Sequence, residues 1–218
     1  MTKFDNDPIQ DNVEAPYLKV FSGPTTNGRK VTIFAELLKV NYVFRNLDYK
    51  KDTKEPWYLA LNPVGRLPLI TDVNAKGEVL AVAESAAILQ YLAEKYDTEH
   101  KLSYATSDPR HWEEVEFLFF HATTLGVSQT KYNQTKTDEA KADLLKNYRL
   151  FNDQLKKNGT GYLVGDHFSL AEAISLAHVD QFLDNIDAES VAEFTELKKW
   201  HQTLINLPEV QAAYHKTD

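Results

Sequence analysis

Leu67-Pro68-Leu69-Ile70 is an apolar run with a proline near its head, and it reads as the start of a β-strand. Proline has no N–H to give to a sheet ladder, so it is confined to edges, first positions and bulges. The pattern predicts a cis bond at Leu67–Pro68, the form X–Pro bonds take in purposeful turns. A cis bond there would turn the Leu67 N–H and C=O out of the sheet, where a short extended peptide could pair with them. Asn62-Pro63-Val64-Gly65-Arg66, just upstream, is turn chemistry. Downstream, a turn at 74–77 leads to Glu84-Ser85, an acid and a hydroxyl at the mouth of a helix that would face the same spot. These segments together predict a site for a small peptide.

The organisation follows from hydrophobic period. Tyr17–Ser22 alternates as a strand does, and a turn and cap cluster, Gly23-Pro24-Thr25-Thr26-Asn27-Gly28, follows it. Val31, Phe34, Ala35 and Leu38 then repeat at helix spacing. A strand over 42–47, a short helix over 56–61 with Pro56 in its first turn, and paired strands over 67–71 and 78–82 come next. A helix carrying Ile88, Tyr91, Leu92 and Tyr96 on one face closes this half. The order βαβ then ββα suits a small mixed sheet with helices on both faces. After Tyr96 the pattern turns polar and then wholly helical, with helices over 108–132 and 138–157. Ser169-Leu170-Ala171-Glu172 is a capping box opening another helix. The expected division is a loose arm over 1–16, a mixed α/β domain over 17–97, a linker over 98–107 and an all-helical domain over 108–218.

Composition narrows the chemistry. With 24 basic and 32 acidic residues, a net charge of −8, the global basic footprint of a nucleic-acid binder is missing. No apolar run approaches membrane-spanning length, and Met1–Asn12 is polar, so the cytoplasm is the expected setting, with neither membrane nor nucleic acid as partner. The seven histidines show no metal-ligand spacing, and no metal is expected. There is no cysteine, which excludes disulfides, cysteine–zinc sites and a protein thiol nucleophile. Any sulfur chemistry must use a sulfur that the substrate brings.

Two motifs in this order and spacing, Asn62-Pro63-Val64-Gly65-Arg66-Leu67-Pro68 and Glu84-Ser85, resemble the glutathione-binding half of the glutathione transferase family. Tyr162-Leu163-Val164-Gly165-Asp166 ahead of the capping box is similar to the family's second half, so the resemblance runs from about Tyr17 to Tyr214. It implies a thioredoxin-like N-terminal domain followed by an all-helical C-terminal domain, with glutathione as co-substrate. Family members activate the glutathione thiol just after the first strand. Thr25-Thr26-Asn27-Gly28-Arg29-Lys30 there resembles the T-P-N-G-x-K motif of the nu class and of fungal relatives of the yeast nitrogen-regulator prion protein, with Thr26 in place of Pro. The resemblance makes Asn27, Thr25 and Thr26 the catalytic candidates and leaves open which one meets the sulfur. Ser22 is an outside candidate, and Thr25 and Asn27 are also favoured helix caps in their own right. Tyr17 comes too early in the strand to serve.

Uncharged donors suffice energetically. Lowering a thiol pKa from about 8.5 by about two units needs roughly 2.7 kcal/mol. A helix N-terminus contributes about 0.3–2 kcal/mol, and one hydrogen bond to a charged partner roughly 1.5–3 kcal/mol. The resemblance further implies that Glu84 faces the γ-glutamyl ammonium, Ser85 its carboxylate, and Leu67 beside Pro68 the cysteinyl backbone. The glycyl carboxylate needs a cation, for which Lys54, Arg66 and Arg29 are the candidates. The second substrate is expected over the first long helix, at Phe120, His121 and Thr124. The implied partners are glutathione, a small electrophile or disulfide, and a second copy of the chain as a homodimer. Thiolate attack on an electrophile is the expected reaction. Glutathione-dependent disulfide reduction or peroxidation, and a non-catalytic regulatory role, are the alternatives.

Overall fold

The computed structural model describes residues 7–8 and 13–218. The chain divides into two compact units, one of residues 1–96 with 208–218, the other of residues 97–207.

In the first unit, among the described residues, four strands form one mixed sheet in the order β2-β1-β3-β4. They are β1 (Tyr17–Ser22), β2 (Tyr42–Asn46), β3 (Leu69–Val73) and β4 (Val79–Ala83). β1 runs parallel to β2, with Leu18 opposite Tyr42, and antiparallel to β3, with Phe21 opposite Leu69. A parallel pair needs a crossover, and α1 (Thr26–Leu37) supplies it. β1 and β3 are buried almost throughout, as central strands covered on both faces must be. α1 packs on α3 (Ser85–Tyr96) over one face, and Val31 and Phe34 of the one and Ile88 and Leu92 of the other are buried. On the other face Phe21, Tyr58, Leu61, Leu67 and Leu69 form a cluster joined by Trp57, so α2 (Pro56–Leu61) sits beneath the chain that carries Pro68. The fold is the thioredoxin-like α/β arrangement followed by helices that the sequence implied. β3 begins at Leu69, two residues after the expected start, because Pro68 has no N–H for the ladder.

Two expectations about the first unit change. Residues 1–6 and 9–12 of the expected loose arm lie outside the described residues. Asp7, however, is buried, and its Oδ2 accepts from Lys19 Nζ at 3.1 Å and from Arg45 Nε at 2.7 Å. Three charges sheltered from water hold this point of the arm onto β1 and β2, since buried charge is tolerable only when paired. The last helix, α10 (Pro208–Thr217), was expected with the helical domain but packs on α1 in the first unit.

The second unit is helical among the described residues: α4 (Pro109–Phe120), α5 (Gly126–Thr135), α6 (Asp138–Asn158), α7 (Leu170–Asn185), α8 (Ala188–Val191) and α9 (Thr195–Ile205). α4 and α5 form one long helix interrupted by a π-helical segment, His121–Leu125. α7 is buried on all sides over Leu170–Val179 and forms the core of this unit. Its capping box is complete: Ser169 caps, and the buried Glu172 carboxylate accepts from the Ser169 N–H, the Ser169 hydroxyl, the Leu163 N–H and Trp200 Nε1. Glu114 on α4 is also buried and takes the Tyr104 N–H at 2.9 Å and the Leu170 N–H at 3.0 Å. It thereby satisfies one orphan donor of α7.

Burial pushes the Glu114 carboxyl from 4.5 up to about 7, against the pull of those two N–H groups. A carboxyl that holds its proton more tightly folded than unfolded contributes stability that is complete below pH 4.5 and is lost as pH rises through about 7. Denaturant unfolding at a series of pH values is expected to show a downward slope across that window that is flatter in Glu114→Gln. The same slope in both proteins would contradict this.

Candidate functional site

The cap cluster after β1 folds into the start of α1. Thr25 is the N-cap, with extended backbone, and its Oγ1 accepts from the Gly28 N–H at 3.0 Å. Gly28 is demanded by space: a Cβ there would lie 2.5 Å from Ser22 Oγ and 2.9 Å from Gly23 O and Thr25 Oγ1. Ser22 is fully buried, with its Oγ 3.3 Å from Thr32 Oγ1, so it faces the core. Asn27, at the helix mouth, is exposed, and its Oδ1 accepts from Lys30 Nζ at 2.7 Å. Lys30 itself is 1% exposed. Burial pulls its ammonium well below the ordinary lysine value, and the Glu84 carboxylate pulls it back up.

The opposite wall is the chain from Asn62 to Pro68. The Leu67–Pro68 bond is cis, as expected. Asn62 is buried and organises the turn: its Oδ1 accepts from the Val64 N–H at 3.2 Å, and its Nδ2 donates to Arg66 O at 2.9 Å. The Tyr58 hydroxyl donates to the same carbonyl at 2.7 Å. Gly65 has φ +62° and no room for a Cβ, which would meet Thr53 O at 2.9 Å. Lys54 Nζ donates to Gly65 O at 2.6 Å and so braces this loop.

β4 then delivers Glu84 and Ser85. Glu84 has φ +71°, a left-handed conformation that costs a non-glycine residue about 1–2 kcal/mol. Its carbonyl accepts the Ile88 N–H at 2.9 Å, so the strained residue begins α3, and Ser85 is that helix's first residue. Such strain tends to persist where the surrounding structure holds a functional residue in place.

These pieces converge. Asn27, Asn62, Arg66, Leu67, Pro68, Glu84 and Ser85 line one recess of about 60 Å³. It combines a carboxylate, a helix mouth with a hydroxyl, an amide and an exposed guanidinium, and so has partners for both charges of a zwitterionic peptide and for its backbone. Among the described residues no cluster of three His, Asp or Glu side chains is placed to hold a metal.

The structure sorts the other candidates. Thr26 is the first residue of α1 and does not line the recess. Thr25 is engaged as the cap, although capping uses an oxygen lone pair and leaves the hydroxyl proton to donate. Arg29 is directed at α10: its guanidinium lies 4.4 Å from the Tyr214 ring centre, and its Nη2 is 2.5 Å from Asp218 Oδ1. Lys54 Nζ braces the Gly65 carbonyl with one of its three donors and does not line the recess, and of the three cations Arg66 alone lines it. In the helical unit, Phe120, His121 and Thr124 do not share one surface, because the π-helical segment changes their register. Phe120 lines a cavity of about 510 Å³ with Phe117, Phe151, Glu116, Gln154 and Lys157. His121 is buried, its ring 4.4 Å from that of His178, and Thr124 stands beside Thr123. The sequence places Asn62 in a turn and Lys30 in the helix-mouth motif, but it marks no individual role for either of them or for Tyr58. For Lys30 the available signal was its place three residues after Asn27, on the same side of the helix.

Comparison with known proteins shows the family. Residues 26–95 match the family described as Glutathione S-transferase, N-terminal domain, and residues 121–218 match Glutathione S-transferase, C-terminal domain. Glutathione S-transferase 1 of Schizosaccharomyces pombe is 30% identical over 214 residues, covering 87% of this chain and 91% of that protein. Disulfide-bond oxidoreductase YfcG of Escherichia coli is 26% identical over 203 residues, covering 88% of this chain and 91% of that protein. A glutathione transferase homolog from Lodderomyces elongisporus, crystallised with two GSH per subunit, superposes with a TM-score of 0.82 at 33% identity, over 91% of this chain and 98% of that one. The chain belongs to the glutathione S-transferase family.

Proposed function

We propose that this protein binds glutathione in the recess between Asn27 and Glu84 and uses its thiolate to attack an electrophile. The observation that carries the reading is the convergence of Asn27, Leu67-Pro68 and Glu84-Ser85, three segments far apart in sequence, on one opening. Glu84 faces the γ-glutamyl ammonium, Ser85 and the start of α3 its carboxylate, Leu67 the cysteinyl backbone, and Arg66 the glycyl carboxylate. The sulfur then lies at the mouth of α1, where the Asn27 amide and the helix N-terminus stabilise negative charge, with Thr25 as a second donor. The thiol proton leaves to water, the thiolate forms a bond to the electrophilic atom, and that atom sheds a leaving group or passes its electrons to an adjoining bond. No protein base is required, because donors alone supply the roughly 2.7 kcal/mol that a two-unit pKa drop needs.

A second reading is favoured by the lack of any cysteine together with the likeness to a disulfide-bond oxidoreductase and to a homolog crystallised with two GSH per subunit. One glutathione thiolate attacks a disulfide, releasing one thiolate and forming a mixed disulfide. A second glutathione displaces the remaining thiolate and leaves as glutathione disulfide. Turnover of chlorodinitrobenzene measured against that of hydroxyethyl disulfide separates the two. Binding with neither turnover would instead favour the non-catalytic role. The proposed setting is the cytoplasm, where glutathione is kept reduced, and the proposed assembly is a homodimer by analogy with the family.

Glu84→Ala is expected to weaken glutathione binding by about 1–3 kcal/mol, the scale for leaving a charged group without its partner. An unchanged dissociation constant by calorimetry would remove glutathione from this recess. Asn27→Ala is expected to raise the pKa of the bound thiol by about one to two units, read from thiolate absorbance. No shift would move the sulfur to Thr25.

A further inference from the structure

Lys30 is a fully buried lysine, and a core position that needed only volume would be better filled by an apolar side chain. Taking an ammonium out of water costs several kcal/mol unless the structure returns it in hydrogen bonds and opposite charge. Here the Nζ donates to Asn27 Oδ1 at 2.7 Å, one helical turn away, and the Glu84 carboxylate acts on the same ammonium from the far side of the recess. In its charged form the Lys30 Nζ has three donors and no acceptor, so it faces the oxygen of the Asn27 amide. The two ends of an amide have nearly the same size, and only their partners decide which way round it sits. Asn27 is exposed at the helix mouth, where water would accept either orientation. With the oxygen held, the nitrogen and its two hydrogens are presented on the other side. A flipped amide would instead aim a carbonyl oxygen at an anionic sulfur and repel it.

The geometry points to Lys30 as a positioning residue whose buried ammonium fixes the Asn27 amide with its donor end toward the glutathione sulfur. This rests on the proposed glutathione site and adds to it a reason why an uncharged side chain acts there as a donor. It also links the two walls: Glu84, set to receive the ligand's ammonium, is the acid that favours the charged form of Lys30.

The test is a double-mutant cycle of wild type, Lys30→Met, Asn27→Ala and the pair, with the pKa of bound glutathione read from thiolate absorbance and affinity from calorimetry. Lys30→Met is expected to raise the bound thiol pKa by about one unit, a tenfold lower thiolate fraction below that pKa. In the Asn27→Ala background it is expected to add no further shift, since the two residues act as one device. A Lys30→Met protein with the wild-type thiol pKa, or the same shift in both backgrounds, would overturn the inference. A wild type that binds no glutathione would instead sink the site itself, so the two failures are distinct. If Lys30→Met does not fold, the wild-type protein decides. The Asn27 side-chain amide resonances, assigned by their loss in Asn27→Ala, are expected to move as the bound thiol is titrated, and resonances indifferent to that titration would overturn the assignment.

Discussion

The first turn of α1 is pressed against the end of β1 so closely that the chain has no space for a Cβ at position 28. Ser22 Oγ, Gly23 O and Thr25 Oγ1 all crowd that point. This contact sets where the helix begins, and the helix start sets the rest. Thr25 caps it, Asn27 emerges at its mouth, and Lys30 lies one turn further on, buried and reaching back to the amide. A helix N-terminus is a modest electrostatic resource on its own. In the proposed reading, that helix end, held on a central strand and furnished with an oriented amide, holds a thiolate without a base.

The facing wall is built differently. The chain from Asn62 to Pro68 has no ladder bonds of its own and is held by side chains: Asn62 and Tyr58 on the Arg66 carbonyl, Lys54 on the Gly65 carbonyl, and the apolar cluster of Phe21, Tyr58 and Leu67 beneath. Polar groups that look available for a ligand thus serve the loop. Glu84 completes this wall in a strained conformation that the β4–α3 junction imposes. Function on loops braced by a rigid scaffold is a common arrangement. Here the bracing residues can be named one by one.

What could be read from the sequence is what depends on neighbours along the chain. The cis bond before Pro68, the capping box at Ser169 and Glu172 and the turn at 74–77 are written within a few residues of where they act, whereas β1 forms as a strand but is buried on both faces and does not alternate. Helical and extended periods gave the two classes of structure for the same reason. Roles fixed by distant partners stayed out of view. Arg29 has the charge to hold a carboxylate, but Tyr214 and Asp218, almost two hundred residues on, take its guanidinium. Lys54 carries the same charge as Arg66, but it is held on the Gly65 carbonyl and does not line the recess. The π-helical segment at 121–125, which separates Phe120 from His121, leaves no mark in a 3.6-residue pattern. Lys30 is the clearest case, because periodicity places it at the start of an amphipathic helix and offers no reason to bury it.

A crystal structure with bound reduced glutathione bears most directly on the claim that uncharged donors at the mouth of α1 hold the sulfur. The expected result is a sulfur within hydrogen-bonding distance of Asn27 Nδ2, with the γ-glutamyl group between Glu84 and Ser85. A tripeptide bound elsewhere, or lying in the recess with its sulfur turned away from α1, would contradict the claim.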